Sequence, residues 1–393
     1  MKTTQCKWLA QKAILLFLLI SFTGCVSLHN KNDLAPVNSE VEAIHRLVLE
    51  KKKAVLDKDL DSFLKQIDSS DKEFYIEQKR WFQYYQSTDA SDYDLKITDI
   101  SKRDLNTYVA TLTQSYTLGP QKMYKNSTFN KKYVHIQGGW KDGDLEFQQV
   151  NTEHFTIKAV MGIDEEIMKR IAAMAEAGFE KVTAAYGEGT TDKTVIKIYD
   201  SQTVIRDQTR IGGLDKFFGW YEYPESIKLC INGNIQRIGE ATLPHELVHK
   251  ITLSKSSNLC QWFAEGLAKY FGDFCMEGKT SIEKGWVHRK DHIKSLKWIE
   301  DQNLEQIKDQ RAINQFYSIA GMMIKHIEES YGKGKSKAIV DALSKFPQRG
   351  EEGFEFEKHN QLFIEYLNQA MEEVLKVDKN TFDKKWMAWM ENY

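Results

Sequence analysis

Residues 242 to 249 read Thr-Leu-Pro-His-Glu-Leu-Val-His, which places His245, Glu246 and His249 in an H-E-x-x-H arrangement. On an α-helix, positions i and i+4 lie on one face, so both imidazoles can reach a single metal ion while Glu246 addresses a water beside it. The segment therefore has to be a helix for its residues to act together. Local signals agree: Thr242 is an expected N-cap, and Pro244 is tolerated in a first turn, where its missing N–H has no acceptor to lose. The competing reading is an ordinary amphipathic helix that happens to show two histidines. What separates the two is a third donor, and Glu265 is the candidate. In Gln261-Trp262-Phe263-Ala264-Glu265-Gly266-Leu267-Ala268-Lys269-Tyr270 it stands between Trp262 and Ala268 at helical spacing, on an apolar stripe with Phe263, Ala264 and Leu267 beside it. A carboxylate there is costly unless it is paired or bound to metal. The bland alternative is a surface i,i+4 ion pair with Lys269, worth a few tenths of a kcal/mol. Two His and one Glu with a fourth position open make a zinc site of the catalytic kind.

Charge and hydropathy narrow the surroundings of that helix. The 393 residues leave room for two or three domains, and 54 Lys+Arg against 56 Asp+Glu with no long basic run give no electrostatic footprint for nucleic acid. A mean hydropathy of −0.51 excludes a polytopic membrane protein. The first residues are an address: Lys2, Lys7 and Lys12 precede a ten-residue apolar core, Ala13 to Phe22, and then Phe22-Thr23-Gly24-Cys25. That ending resembles a bacterial lipobox, with Phe22 where the motif has Leu. The resemblance implies a signal peptide over 1–24, a lipid on Cys25, a tether over 25–37 and a mature protein anchored to the cell membrane on its extracytoplasmic side. The alternative is an uncleaved anchor helix, although about 20 apolar residues are needed to span. Cys230, Cys260 and Cys275 are odd in number and form no C-x-x-C pair, so no disulfide framework is expected. A helix over 261–274 would hold Cys260 and Cys275 roughly 20 Å apart, whereas Cys230 could bridge to either.

Periodicity divides the rest. Apolar residues at helical spacing predict three helices from Ser39 to about Tyr85, and after Ser91 the period changes to two, predicting a meander of strands. The expectation is an N-terminal α+β accessory domain over 38–150, which on topology looks like a nuclear-transport-factor-two-like domain. From Thr152 the pattern predicts a strand, an Ala-rich helix from Asp164 to about Tyr186, strands at Thr194 to Tyr199 and Ile227 to Ile231, and helices from about Glu240 onward. The expected fold class is α+β: a small helix-plus-sheet domain, then a second domain over 151–393, the zincin-like catalytic domain that the resemblance given next implies. In that domain a mixed sheet packs on the H-E-x-x-H helix, and a mostly α-helical C-terminal lobe closes the cleft.

Thr-Leu-Pro-His-Glu-Leu-Val-His, 15 residues, then Glu within Trp-Phe-Ala-Glu-Gly-Leu-Ala-Lys-Tyr resembles the peptidase MA-like branch of the gluzincin metallopeptidases. The resemblance implies zinc held by His245, His249 and Glu265, with Glu246 as general base, although the interval before the third ligand is shorter than in thermolysin-like enzymes. Tyr317 resembles a tyrosine that opens a C-terminal helix in related enzymes and donates to the oxyanion; the other reading is a half-buried aromatic on an amphipathic helix. His288 and His292 share a helical face and are further donors. Gly219-Trp220-Tyr221-Glu222-Tyr223 stands where aminopeptidases of this clan carry G-x-M-E-N, but Met and Asn are absent, so Glu222 reads as part of a β-hairpin or as an amine binder. The Ile227 to Ile231 strand is a candidate edge for an extended peptide. Together these imply a membrane-tethered zinc metallopeptidase acting on a peptide or protein substrate. The alternative is a noncatalytic surface binding lipoprotein with a degenerate zinc site. Substrate identity, exo or endo mode and oligomeric state are left open by the sequence.

Overall fold

Asp59 and Asp71 each accept a hydrogen bond from a backbone N–H three residues on, and so start helices α2 (Leu60–Leu64) and α3 (Lys72–Ser87), which follow α1 (Ser39–Asp57). In the computed structural model, which describes residues 39–211, 218–231, 235–277, 293–351 and 353–393 (without the side chains of 273–277), residues 39–393 cluster as one compact unit. The three helices lie on an antiparallel sheet of β1 (Ala90–Asp104), β2 (Thr107–Leu118), β3 (Met123–Ile136) and β4 (Gly139–Leu145), in that order. Alternation along β2 sends Tyr108, Ala110, Leu112 and Tyr116 into a core shared with Phe63, Phe74, Trp81 and Phe82.

The period-two run does not stop at one sheet. β5 (Phe147–Asn151) turns away from β4 and pairs with β6 (Phe155–Val160), so the change of sheet falls at Glu146, a few residues before the boundary near 150 that composition suggests. α4 (Glu165–Tyr186), capped by the Asp164 side chain and ended by Gly187 at φ +85°, crosses over to β7 (Thr194–Tyr199). With α5 (Gln202–Thr209) and the hairpin strands β8 (Gly219–Tyr221) and β9 (Ser226–Cys230), the sheet order is β5-β6-β7-β9-β8. Strands β6, β7 and β9 run parallel, and β5 and β8 are antiparallel edges. The expected substrate edge at Ile227 to Ile231 is corrected by this order: β9 is interior, flanked by β7 and β8, and the free edge is β8.

Both faces of this sheet are covered. Ile196, Ile198, Ile227 and Leu229 face one core with the helices beyond the sheet, while Tyr199 and Cys230 point into the core of the N-terminal layer. Lys197 and Lys228 share that second face and are fully buried; Lys197 Nζ meets Glu77 of α3 at 3.0 Å and Asp144 at 2.7 Å, and Lys228 Nζ meets Glu225 at 2.7 Å and Glu77 at 3.3 Å.

The remainder is helical. A short α6 (Ile235–Arg237) and a π-turn (Ile238–Thr242) run straight into α7 (Leu243–Lys255), followed by α8 (Gln261–Glu277), α9 (Leu296–Glu300), α10 (Gln310–Ser330), α11 (Lys335–Leu343), α12 (Gln361–Leu375) and α13 (Lys379–Asn392). None of the described helices is long and apolar enough to cross a membrane. Cys230 and Cys260 are buried free thiols, so the bridge left open for Cys230 does not reach Cys260. Cys25, the tether, His288, His292 and the Cys275 side chain lie outside the described residues.

Candidate metal centre

Helix α7 carries the H-E-x-x-H residues, but it does not begin as the sequence suggests. Thr242 has helical dihedrals and its side chain makes no capping bond, because the π-turn before it already supplies the helix start. The N-cap expectation is therefore overturned: the preceding turn takes over the orphan N–H groups that a cap would serve. Pro244 sits in the first turn as expected.

Two glycines bring α8 into reach. A Cβ at Gly272 would stand 3.0 Å from the backbone of His245, and one at Gly266 would stand 2.6 Å from the carbonyl oxygen of Ala320 on α10. Helix α8 is thus wedged against α7 on one side and α10 on the other, which aims Glu265 at the two histidines. His245 Nε2 lies 3.2 Å from Glu265 Oε2, His249 Nε2 lies 3.2 Å from His245 Nε2, and His249 Nε2 lies 3.4 Å from Glu265 Oε2. Among the described residues these three form the cluster able to hold a metal ion.

That triangle tests whether the donors fit zinc. Tetrahedral ligands at about 2.0–2.1 Å from the metal stand roughly 3.3 Å from one another, and the observed edges match. The donor chemistry, two imidazoles and a carboxylate, fits as well. Glu265 does not behave as a surface partner of Lys269: its side chain is 19% exposed, and although burial alone would raise its pKa, His249 and the hydrogen bonds from both histidines hold it well below the usual carboxylate range. His249 is affected in reverse, burial opposing its charge and Glu265 outweighing burial to raise its pKa.

Glu246 stands beside the triangle and does not join it. The Tyr221 backbone N–H at the edge strand β8 donates to Glu246 Oε2 at 2.7 Å, which fixes one carboxylate oxygen. Burial pushes the Glu246 carboxyl up, reinforced by Glu265 and opposed by His245 and His249. Tyr317, on α10, is half-buried with its ring edge-on to His245 at 5.8 Å. Burial, and the nearby carboxylates Glu265 and Glu246, push its hydroxyl pKa well up, so it stays a donor.

All of these residues line one cleft of about 170 Å³, whose other wall is the β8–β9 hairpin with Trp220, Tyr221, Glu222 and Tyr223. Glu222 lies at the end of β8, as the hairpin reading expects, and Arg80 of the N-terminal helix α3 holds it at 3.0 Å. Burial would raise its pKa, yet Arg80 and Arg210 outweigh burial and lower it. Arg80, Arg210 and Arg349 around Glu222 are not signalled by any motif. Their one sequence trace is that Arg80 falls among the apolar positions of α3.

No protein-family model and no curated protein matches the chain. Among solved structures it is similar to native yeast LTA4 hydrolase (16% identity, TM-score 0.37, covering 74% of this chain and 45% of that one). It is also similar to yeast LTA4 hydrolase in complex with bestatin (17%, 0.38, 74% and 44%) and to native leukotriene A4 hydrolase from Saccharomyces cerevisiae (10%, 0.34, 76% and 69%). The chain spans less than half the length of the first two. Superpositions of that quality carry no argument about activity. The chemistry of the site rests on its donor geometry.

Proposed function

We propose that this chain is a zinc-dependent peptide hydrolase of gluzincin type, held to the outer side of a cytoplasmic membrane by a lipid on Cys25. The observation that supports it most is the triangle of His245, His249 and Glu265 donors with the Glu246 carboxylate beside it and outside it. Zinc at those donors supplies Lewis acidity, polarising a carbonyl and acidifying a water. Glu246, with one oxygen fixed by Tyr221 and the other free, accepts the proton of the attacking water and delivers it to the leaving amine. Tyr317 is the donor for the developing oxyanion. The edge of β8 along the cleft leaves the backbone of Gly219 and the Tyr221 carbonyl for an extended peptide passing the site, the Tyr221 N–H being bonded to Glu246.

The two glutamates carry different tasks, which gives the test. Glu246→Gln keeps shape but cannot take the proton, so hydrolysis of a peptide library should be lost with zinc stoichiometry near one. Glu265→Gln should lower zinc content itself. Full zinc occupancy in Glu265→Gln would refute the ligand assignment. Zinc bound by the parent with no peptide cut would favour a noncatalytic binding lipoprotein.

A further inference from the structure

The cleft wall opposite the metal centre holds three arginines, and they are not partnered alike. Glu222 accepts from Arg80 Nη1 at 3.0 Å, and the same nitrogen meets Glu225 Oε1 at 3.0 Å. Arg210 is answered by Glu305 at 2.6 Å. Among the described residues Arg349 has neither an ion pair nor a side-chain hydrogen bond, and the one carboxylate charge that acts on it from nearby is that of Glu222, already bonded to Arg80. It is 8% exposed, its guanidinium stands over the rings of Tyr223 at 5.7 Å and Phe354 at 5.8 Å, and neither Nε nor Nη1 has a hydrogen-bond partner. Ser257 Oγ donates to the Arg349 carbonyl at 2.7 Å, so the residue's backbone is anchored while its side chain faces the cleft.

A guanidinium cannot shed its proton to escape burial, and a buried charge without a partner is expensive. A carboxylate satisfies the planar fork with two parallel bonds. The position relative to the reaction follows from the β8–β9 hairpin: Tyr221, at the end of β8, holds Glu246, and Tyr223 stands two residues on, in the turn that joins the two strands. Arg349 packs on that ring. Glu222, on the same wall, has its Oε1 bonded to Arg80.

We propose that Arg349 is a carboxylate-docking site in this cleft, so that its preferred peptides carry an acidic side chain or a free C terminus close to the bond cut. This rests on the peptide-hydrolase reading above. The test uses the mature chain with fluorescent Ala-Ala-Ala-Phe-Ala-Ala peptides: the free acid against the amide, and amides with Glu or Gln placed at each position in turn. Cleavage is followed as kcat/KM with the parent, and binding by anisotropy with Glu246→Gln. In at least one pair the carboxylate peptide should be favoured by about tenfold or more, the scale of a charge-assisted pair. That ratio should fall to near one in Arg349→Met and to an intermediate value in Arg349→Lys, which keeps a charge without the fork. The Glu series and the acid/amide pair tell an internal acidic residue from a C terminus. Ratios within about twofold in the parent, or a preference that survives in Arg349→Met of unchanged zinc content and melting temperature, would overturn the proposal. Carboxylate-selective binding without any cleavage would sustain the docking site and sink the hydrolase reading; cleavage without selectivity would do the reverse, and neither binding nor cleavage would sink both.

Discussion

Replacing Lys197 by Met should be among the most damaging single changes in the molecule, although it touches no residue of the cleft. Met keeps most of the side-chain volume and removes the charge. Lys197 is 0% exposed, and its ammonium is the partner of Asp144 Oδ2 at 2.7 Å and Glu77 Oε1 at 3.0 Å, both on carboxylates that are themselves buried. Losing one partner of a buried pair costs about 3–5 kcal/mol because the other charge is stranded. The ring faces of Phe74 and Phe147, 5.5 and 5.6 Å from the ammonium, lose their cation as well. Against a total stability on the order of 5–15 kcal/mol, the variant should unfold at a markedly lower urea concentration. Asp144→Asn added to Lys197→Met should recover about half of the loss, since Asp144 is the carboxylate left stranded while Glu77 keeps Lys228 at 3.3 Å; Asn also suits the φ of +80° at position 144. Urea unfolding followed by tryptophan fluorescence and by zinc release measures both effects. A cost under about 1 kcal/mol for Lys197→Met would refute the argument, because the buried network would then add little to the apolar contacts of Tyr199 and Cys230 between the N-terminal layer and the second sheet.

Two further outcomes depend on position alone. Gly272→Ala places a methyl 3.0 Å from the His245 backbone, so α8 must move away from α7; zinc affinity should drop by at least tenfold, measured by competition with a chelating dye, and an unchanged affinity would show that Glu265 does not depend on this contact. Cys25→Ser should abolish incorporation of labelled fatty acid and leave the precursor unprocessed; unaltered labelling would remove the lipid anchor.

What can be read from the sequence is what is local. The H-E-x-x-H helix, Glu265 one helix later, β7 at Thr194 to Tyr199 and the Asp164-capped α4 each carry their signal within one element. Lys197 shows where such reading stops. A lysine in mid-strand looks like a solvent-facing position, and Glu77 and Asp144, 120 and 53 residues earlier, reverse that. The edge strand β8 has three residues, too few for a period, so β9 with its apolar run looks like the edge. Thr242 has the chemistry of a cap, but the π-turn in front of it leaves nothing to cap. Arg349 belongs to no motif, and its meaning comes from Tyr223 and Phe354 closing over it.

Arg80 joins these observations. It belongs to α3, in the layer that precedes the metal-binding half, yet its guanidinium reaches the cleft wall and bonds Glu222 and Glu225 of the β8–β9 hairpin at 3.0 Å each. Its Nε also donates to the Glu351 carbonyl at 2.8 Å, two residues beyond Arg349. One side chain therefore spans from the strand that positions Glu246 to the loop that carries Arg349. Trp81, its neighbour, donates its indole N–H to the Asp207 carbonyl at 2.7 Å, one helix turn from Arg210 on the same wall. The N-terminal layer does not supply a metal donor, but it sets the charge of Glu222 and the spacing between the two sides of the cleft. On the proposed peptide-hydrolase reading, a change in that layer should therefore alter which peptides are cut before it alters zinc content, measured as cleavage ratios and metal stoichiometry of Arg80→Met beside the parent.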